Sequence, residues 1–205
     1  MKYKILILDY NVGNVNSVIK AVRHLGHDPI FSKNKKDIEK ADKIILPGQG
    51  SFDFAMKQIN HLKLEKEILE HVKKKKLLGI CLGMQILASV GYENGKKTKG
   101  LNLIPGKVIK FQSKKKIKLP HIGWNEVKQE KKNKIFDNIL DKADFYHCHS
   151  YIFKSLNIKN VIGTSRYHDK FANVINKDNV FGVQFHPEKS LKSGLKLIEN
   201  FLNLE

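Results

Sequence analysis

Cysteine is almost absent from this chain, which has only Cys81 and Cys148 among its 205 residues. Two cysteines cannot build the disulfide framework that stabilises small secreted proteins, and neither lies in the spacing of a zinc site. We therefore expect a protein of the reducing cytoplasm that holds no metal and no other cofactor.

Long hydrophobic runs are also missing. The apolar segment near the start of the chain, Ile5 to Leu8, is followed at once by Asp9. It is too short for a signal peptide, and a helix that crosses a membrane needs about 20 apolar residues. The segment is therefore predicted to be a buried first strand, and we expect no membrane association.

Arginine is scarce although the chain is strongly basic. The net charge of +18 comes almost entirely from lysine, since Arg23 and Arg166 are the only arginines. A basic surface can attract nucleic acid, yet base recognition and bidentate phosphate contacts favour arginine. The lysine runs 73–76 and 114–116 contain no aromatic residues and are predicted to lie at a helix end and a hairpin turn. We expect no nucleic-acid partner.

Length and periodicity indicate an α/β fold in one domain over residues 1–205. The first half alternates short apolar strands with amphipathic helices, which is typical of a mostly parallel sheet covered by helices on both faces. Strands are predicted at 4–8, 29–32 and 43–46, and helices at 16–25, 52–59 and 64–74, with a short helix around Asp37. Residues 84–88 are also predicted to be helical. The second half favours antiparallel strands that extend the sheet, at 108–111, 118–122, 144–149, 161–167, 172–176 and 180–185, before a last helix at 194–202.

The pentapeptide from Gly79 to Gly83 places Cys81 between two glycines. An apolar strand precedes it and a predicted helix follows, so the chain turns sharply at Cys81. The glycines remove Cβ atoms that would collide in such a turn. A cysteine held there points into a cleft, and the N-terminus of the helix favours its thiolate. The simpler interpretation is an inert buried thiol, which is common for this residue type.

A histidine and a carboxylate that suit this nucleophile stand far downstream. The apolar segment 180–185 is predicted to be a strand that delivers His186 at its C-terminal end, where Pro187 stops it. Glu188 is close enough to bond the far ring nitrogen and fix the tautomer. Cys81, His186 and Glu188 are therefore predicted to be a catalytic triad, and the chain to be an enzyme that forms an acyl-thioester.

Six segments carry a resemblance to known enzymes that runs from the first strand to the last helix. Those that resemble the class I, triad-type glutamine amidotransferases are Pro47 to Gly50, Gly79 to Gln85 and Gln184 to Ser190. Those that resemble the glutaminase subunit of imidazole glycerol phosphate synthase are Asp9 to Asn14, Pro120 to Asn125 and His149 to Tyr151. The resemblance implies a flavodoxin-like α/β fold. One departure is Gln49, where the family usually has valine.

The resemblance implies that the chain hydrolyses glutamine to glutamate and ammonia through a thioester on Cys81. The oxyanion of the tetrahedral intermediate needs hydrogen-bond donors, which the amide of Leu82 and the loop 48–50 would supply. The oxyanion and substrate-binding residues that it implies are Gly48, Gln49, Gly50, Leu82, Gln85, Glu93, His149, Ser150 and Tyr151.

Ammonia that escapes into water is protonated and stops being a nucleophile, so it has to pass directly to an acceptor. The resemblance implies that a separate, barrel-shaped cyclase subunit receives it within a heterodimer. That subunit would make imidazole glycerol phosphate and AICAR from PRFAR in histidine biosynthesis. The resemblance places Trp124, Tyr151 and Lys189 at the face that docks the cyclase.

Other interpretations remain open on the residues alone. The same half-reaction could feed a surface-sugar amidotransferase, and less favoured alternatives are a cysteine peptidase and a nucleic-acid-binding protein. Glu188 and the loop 47–50 fit a small carboxamide pocket better than a peptidase cleft. His147 and His149 share one face of a strand. A third metal ligand at matching spacing is missing, so we expect no metal site there.

Overall fold

The computed structural model describes residues 3–13, 15–112 and 118–205. Asn14, the last residue of the motif that begins at Asp9, lies outside these ranges, as does the lysine run 114–116 with its predicted hairpin turn. Within the described ranges the chain forms thirteen strands and six α-helices.

The strands and helices alternate in the first half of the chain, as predicted. In chain order the strands are β1 (Ile5–Leu8), β2 (Ile30–Ser32), β3 (Lys43–Leu46), β4 (Lys76–Ile80), β5 (Val90–Glu93), β6 (Lys96–Lys99), β7 (Gly106–Lys110), β8 (His121–Gln129), β9 (Ala143–His149), β10 (Tyr151–Ser155), β11 (Val161–Tyr167), β12 (Asp169–Lys177) and β13 (Val180–Val183). The helices are α1 (Asn16–His24), α2 (Lys35–Lys40), α3 (Phe52–His61), α4 (Glu65–Val72), α5 (Leu82–Gln85) and α6 (Leu191–Asn203).

Five parallel strands, in the order β2-β1-β3-β4-β13, form one half of the sheet. Successive side chains of a strand point to opposite faces. In β1, Leu6 and Leu8 therefore join one hydrophobic core while Ile5 and Ile7 join the other. Strands β1, β3 and β13 are thus buried on both faces, which is the α/β arrangement that the sequence predicts, whereas the edge strand β2 is largely exposed.

The other half of the sheet is the predicted antiparallel extension. The order continues from β13 through β12, β10, β7, β5 and β6, with β5 and β7 as a parallel pair. A branch leaves this path where β11 pairs with β12 and β8, and β8 pairs with β9. This half therefore brings β8 and β9 to the side of β13.

The helix predicted over residues 84–88 is wrong beyond Gln85. The carbonyls of the next three residues instead accept hydrogen bonds at 2.9–3.0 Å from the backbone N–H groups of residues 101–103. Gly100 permits this approach, since a Cβ there would lie 2.2 Å from the carbonyl oxygen of Ala88. Long-range backbone pairing therefore overrides the local helical pattern, and the hairpin β5–β6 follows.

The strand predicted at 118–122 is displaced along the chain, because β8 begins at His121 and continues to Gln129. Its pairing with β9 runs from His121 opposite His149 to Val127 opposite Ala143. The strand β10 was not predicted from the sequence. In the described ranges, each helix is too short or too polar to cross a membrane.

Candidate active site

Three adjacent parallel strands deliver the predicted catalytic segments to one edge of the sheet. β3, β4 and β13 are neighbours; β3 ends just before Pro47 and β4 just before Cys81. β13, which was predicted to reach residue 185, ends at Val183, and the chain bends over the next two residues before His186. Ligand sites of open α/β sheets lie at this carboxyl edge. The topology therefore brings together segments that are far apart in sequence.

Cys81 lies at a strained elbow between β4 and α5. Its backbone adopts φ +52° and ψ −107°, a conformation that non-glycine residues avoid. The two flanking glycines make this turn feasible: a Cβ on Gly79 would lie 2.6 Å from the backbone of Gly83, and one on Gly83 would lie 1.8 Å from the carbonyl oxygen of Leu46. The strain lifts the cysteine out of the strand and toward the edge of the sheet.

Gly83→Ala is expected to destabilise the protein by about 3 kcal/mol or more, because its Cβ would collide with the backbone of β3. Gly26→Ala is the matched control. Gly26 has φ +81° and open space around it, so that change carries only backbone strain of about 1 kcal/mol. Urea denaturation of both variants measures the difference, and equal losses would contradict the packing argument.

His186 and Glu188 form a buried ion pair beside the elbow. Glu188 Oε1 lies 2.8 Å from His186 Nδ1, and both side chains are at most 5% exposed. The pairing holds the proton on Nδ1 and leaves Nε2 for the reacting groups. Nε2 is buried and has no hydrogen bond of ordinary geometry among the described residues. The histidine is therefore oriented and its second nitrogen is free to act.

The charge state of His186 suits proton donation. Burial disfavours the charged ring, but the interactions with Cys81 and then with Glu188 outweigh burial and raise the pKa of His186 to about 10. The site therefore holds an imidazolium at neutral pH, next to the sulfur atom of Cys81. A general acid that retains its proton at neutral pH can protonate a leaving nitrogen.

The loop after β3 packs over the N-terminus of α5. A Cβ on Gly48 would lie 2.5 Å from the hydroxyl oxygen of Tyr10 and 3.0 Å from Leu82 Cβ, so a larger residue would have to displace the loop or Tyr10. The hydroxyl of Tyr10 donates to the carbonyl oxygen of Pro47, and burial raises the pKa of Tyr10, which keeps this donor protonated. Backbone N–H groups of the loop and of α5 are thus close to each other beside the nucleophile.

The loop between β1 and α1 supports this arrangement from the other side. Gly13 has φ +83°, and a Cβ on it would lie 2.6 Å from the backbone nitrogen of Gln49. Gln49 and Gly50 are exposed. The motif that begins at Asp9 therefore contacts the predicted oxyanion loop directly.

The predicted substrate residues occupy two sides of the site. Gln85 is buried, and its Nε2 donates to the carbonyl oxygen of Tyr151 and to Gln184 Oε1, each at 3.1 Å. The side-chain oxygen of Gln85, Oε1, is therefore left to accept a hydrogen bond. Glu93 Oε2 accepts a hydrogen bond of 2.6 Å from the backbone N–H of Phe52. Glu93 thus ties β5 to the first turn of α3, directly after the oxyanion loop.

Gln184 was not assigned a role from the sequence, yet it contacts the nucleophile. Its side chain is fully buried, and Nε2 lies 3.7 Å from Cys81 Sγ. On another side, Sγ lies 3.9 Å from the carbonyl oxygen of Cys148. The signal that could have found Gln184 is its position two residues before the catalytic histidine, on the same face of the chain.

Three buried histidines form a neutral cluster behind the site. His149 donates from Nδ1 to the carbonyl oxygen of Tyr151 at 3.0 Å, and its Nε2 accepts from His121 Nδ1 at 3.1 Å. His147 donates from Nδ1 to the carbonyl oxygen of Phe145 at 2.9 Å and accepts from Asn173 at 2.8 Å. Because carbonyl oxygens only accept, these contacts fix the Nδ1–H tautomer.

The fold brings a third histidine to His147 and His149, because His121 lies opposite His149 on the neighbouring strand. Their nitrogens bond to each other and to amides. No group of three His, Cys, Asp or Glu side chains in the described ranges is placed to bind a metal. Ser150, between the histidines and β10, accepts a backbone hydrogen bond of 2.8 Å from Phe111.

Burial lowers the pKa of His121 to about 4, and burial followed by the charge of His121 lowers that of His147 to about 3. Burial also lowers the pKa of His149. In the unfolded chain all three would titrate near 6.5. As the pH falls below 6.5, the unfolded chain therefore binds protons that the folded chain does not bind, and the free energy of unfolding decreases.

We expect the free energy of unfolding to fall by up to about 4 kcal/mol per pH unit between pH 6 and 5, about 1.4 for each histidine. His186 does not contribute there, because its raised pKa gives stability that is lost only as pH rises toward 10. The measurement is urea denaturation across this range. His71, whose pKa burial also lowers, adds to the same loss. His121→Gln should reduce the slope by about 1.4 kcal/mol per pH unit, and an unchanged slope would contradict the cluster's role.

An exposed aromatic and basic cluster borders the catalytic loop. Trp124 is 50% exposed, its ring lies 6.1 Å from that of Tyr146, and Lys189 Nζ lies 6.0 Å from the Tyr146 ring. The hydroxyl of Tyr151, which the resemblance places on the same docking face, is 3.5 Å from Asn94 Oδ1. The structure adds Tyr146 to Trp124 and Lys189 in this cluster.

Tyr146 also connects this cluster to the triad through the backbone. Its carbonyl oxygen accepts from the N–H of His186 at 2.9 Å, and its N–H donates to Ser190 Oγ at 2.9 Å. A displacement of Tyr146 would therefore be transmitted to the segment that carries His186 and Glu188.

The sequence is similar to curated proteins over nearly its whole length. The model of the family described as glutamine amidotransferase class-I matches residues 6–204. The chain is 45% identical to imidazole glycerol phosphate synthase subunit HisH 1 of Campylobacter jejuni, over 98% of this chain and 100% of that protein. It is 44% identical to subunit HisH 2 of Methanococcus maripaludis, over 97% and 98%.

Solved structures share the fold at low identity. PurLQS from Thermotoga maritima superposes with a TM-score of 0.76 at 21% identity, covering 99% of both chains. A structure described as a glutamine amidotransferase superposes with a TM-score of 0.75 at 19% identity, covering 96% of both. The family model and the relatives agree with the elbow and the buried histidine–glutamate pair. The chain belongs to the class-I glutamine amidotransferases, and within them to the family of the HisH subunit of imidazole glycerol phosphate synthase.

Proposed function

We propose that this chain is a glutaminase subunit that hydrolyses glutamine to glutamate and ammonia, and that residues 1–205 act as one glutamine amidotransferase domain. The observation that carries the proposal is the strained Cys81 elbow, next to a buried His186–Glu188 pair whose ring pKa the cysteine and the glutamate raise. An inert core cysteine would need neither the strain nor the charged partner.

The reaction begins when the Cys81 thiolate attacks the side-chain carbonyl carbon of glutamine. The N–H of Leu82 and those of the loop 48–50 stabilise the oxyanion of the tetrahedral intermediate. His186 then gives its proton to the leaving nitrogen, so that ammonia departs and a γ-glutamyl thioester remains. Water, deprotonated by the neutral His186, attacks the thioester, and glutamate leaves as the thiolate and the imidazolium form again.

The remaining predicted residues hold the substrate. Both amide hydrogens of Gln85 are engaged by protein acceptors, so its oxygen is available to accept from glutamine. The carboxylate of Glu93 suits the α-ammonium group of an amino acid. The His149, Ser150 and Tyr151 segment contributes contacts along the edge of the site, with the histidine neutral and itself fixed by Tyr151.

The ammonia passes to a separate cyclase subunit within a cytoplasmic heterodimer. The acceptor reaction is the formation of imidazole glycerol phosphate and AICAR from PRFAR, which fits the synthase that the similar HisH proteins are named for. We assign the docking face to Trp124, Tyr151 and Lys189, and we add Tyr146, whose ring lies near both Trp124 and Lys189. Ile122, 59% exposed on the same strand as Trp124, adds apolar surface to this face.

Docking can control the glutaminase through a shared cavity. A cavity of about 10 Å³ is lined on one side by Pro47, Gly48 and Gln49, and on the other by Glu188 and Lys189. A partner that moves Lys189 would therefore move atoms packed against the oxyanion loop. Loss of one oxyanion donor costs about 3 kcal/mol, or two to three orders of magnitude in rate, which is enough to keep the free subunit nearly silent.

The test is glutamate production by the chain alone, with the cyclase, and with the cyclase plus PRFAR. We expect the rate to rise at each step, by two to three orders of magnitude in total. Glutamine hydrolysis absent in all three mixtures would overturn the proposed function. Equal rates in all three would remove the control by docking and leave the catalytic assignment intact. Activation by a sugar amidotransferase in place of the cyclase would reassign the acceptor.

A further inference from the structure

Gln184 lies directly beside the nucleophile because of the register of two parallel strands. Val183, the last residue of β13, is paired with Ile80, the last residue of β4. The next residues of the two strands are therefore also neighbours, and the N–H of Cys81 donates to the carbonyl oxygen of Val183 at 2.8 Å. Gln184 thus reaches the sulfur from the adjacent strand and lies in the protein interior.

The orientation of the Gln184 amide follows from its neighbours. The carbonyl oxygen of Tyr151 can only accept, so the group of Gln85 that faces it, at 3.1 Å, is its NH₂. The same nitrogen lies 3.1 Å from Gln184, which must therefore turn its oxygen toward Gln85. The remaining group, the Gln184 NH₂, faces Cys81 Sγ at 3.7 Å. One backbone carbonyl thus determines, through two amides, that the sulfur receives an N–H donor.

The two polar neighbours of the sulfur favour different protonation states. The carbonyl oxygen of Cys148, 3.9 Å away, can accept a hydrogen bond from a thiol but repels a thiolate. The N–H group of Gln184 can donate to a thiolate, and such a charge-assisted bond is stronger than one to a neutral sulfur. Because Gln184 is fully buried, water does not compete for this N–H group.

We propose that Gln184 is a positioning residue for Cys81: its side-chain N–H, locked by Gln85, donates to the thiolate and holds the sulfur in place beside His186. The proposal rests on the glutaminase function, since that reaction is what the thiolate serves. It adds a donor outside the triad and outside the oxyanion loop.

Gln184→Met tests the proposal, because methionine fills a similar volume and cannot donate. The control is Asn200→Leu, which removes another buried amide whose Nδ2 donates to the carbonyl oxygens of Ile135 and Asp137. The readout is the alkylation rate of Cys81 by iodoacetamide as a function of pH, with peptide mass mapping to separate Cys81 from Cys148. A structural role alone would lower stability and leave this profile in place.

In Gln184→Met we expect the pH profile of Cys81 alkylation to move up by about one unit, so that alkylation on the rising, acidic limb of the profile slows by about tenfold, the size of a lost hydrogen bond to a charged group. Asn200→Leu should keep the wild-type profile. With the cyclase and PRFAR present, kcat should fall while the KM for glutamine stays nearly constant. A wild-type alkylation profile in a folded Gln184→Met protein would overturn the proposal.

A second measurement does not depend on the folding of that variant. In wild-type protein with labelled glutamine side chains, the NMR signals of the Gln184 NH₂ group should shift with pH as Cys81 titrates, and should not shift in this way in Cys81→Ala. If the pH-dependent shifts of the Gln184 NH₂ signals were the same in wild-type protein and in Cys81→Ala, the proposal would be overturned. Neither readout measures glutamine turnover, so a failure of the proposed function would be recognised separately by absent glutamate release.

Discussion

Cys81→Ala is expected to abolish glutamine hydrolysis, with glutamate release falling by about four to six orders of magnitude. The reason is that no other group of the site can form the thioester: His186 is paired and serves as the acid, and Gln184 and Gln85 are amides. The measurement is glutamate production with the cyclase and PRFAR present. The fold and partner binding should survive, because the change removes one atom from a small buried side chain.

Cys148→Ser is the matched control for this variant. It removes the other thiol while keeping the backbone carbonyl that lies 3.9 Å from Cys81 Sγ, so we expect activity near that of wild type. Synthesis driven by external ammonia should also persist in Cys81→Ala, since ammonia bypasses the glutaminase. Substantial glutamate release by Cys81→Ala would contradict the assignment of the nucleophile.

The second large effect separates the roles of the histidine and the glutamate. His186→Ala removes the proton donor and should lower kcat by about as much as the loss of Cys81. Glu188→Gln keeps a hydrogen-bonding group within 2.8 Å of Nδ1 and should lose about 10 to 100 times less. We propose that Glu188 orients the ring and supports its charge without itself exchanging protons in the reaction.

Steady-state kinetics on the two purified variants decide this point. The pH dependence adds a second check, because Glu188 is one of the groups that raise the pKa of His186. In Glu188→Gln that pKa should fall, so the imidazolium is lost at a lower pH and activity should decline earlier as pH rises. Equal inactivity of Glu188→Gln and His186→Ala would show that the division of roles is wrong.

The convergence of Cys81 and His186 could be predicted because each follows a local pattern. Cys81 stands between glycines at a strand-to-helix junction, and His186 comes shortly after an apolar strand. Parallel strands deliver their carboxyl ends to one edge, so convergence follows from topology without knowledge of side-chain contacts. The α/β class follows for the same reason, since the alternation of strands and helices is visible in the chain.

The features that escaped prediction depend on pairing between distant segments. The role of Gln184 requires the register between β13 and β4, and the histidine cluster requires that β8 place His121 opposite His149. The position of Tyr146 beside Trp124 depends on the same pairing of β8 with β9. The helix at 84–88 failed because residues 101–103 bond to its carbonyl groups.

The most direct test of the central claim is to trap the covalent intermediate. The complex with cyclase and PRFAR is mixed with glutamine, quenched in acid during turnover, digested and analysed by mass spectrometry. We predict one γ-glutamyl group on the peptide that contains Cys81 and none on the peptide that contains Cys148. Glutamate formation without modification of Cys81, or a glutamyl group on Cys148, would contradict the account.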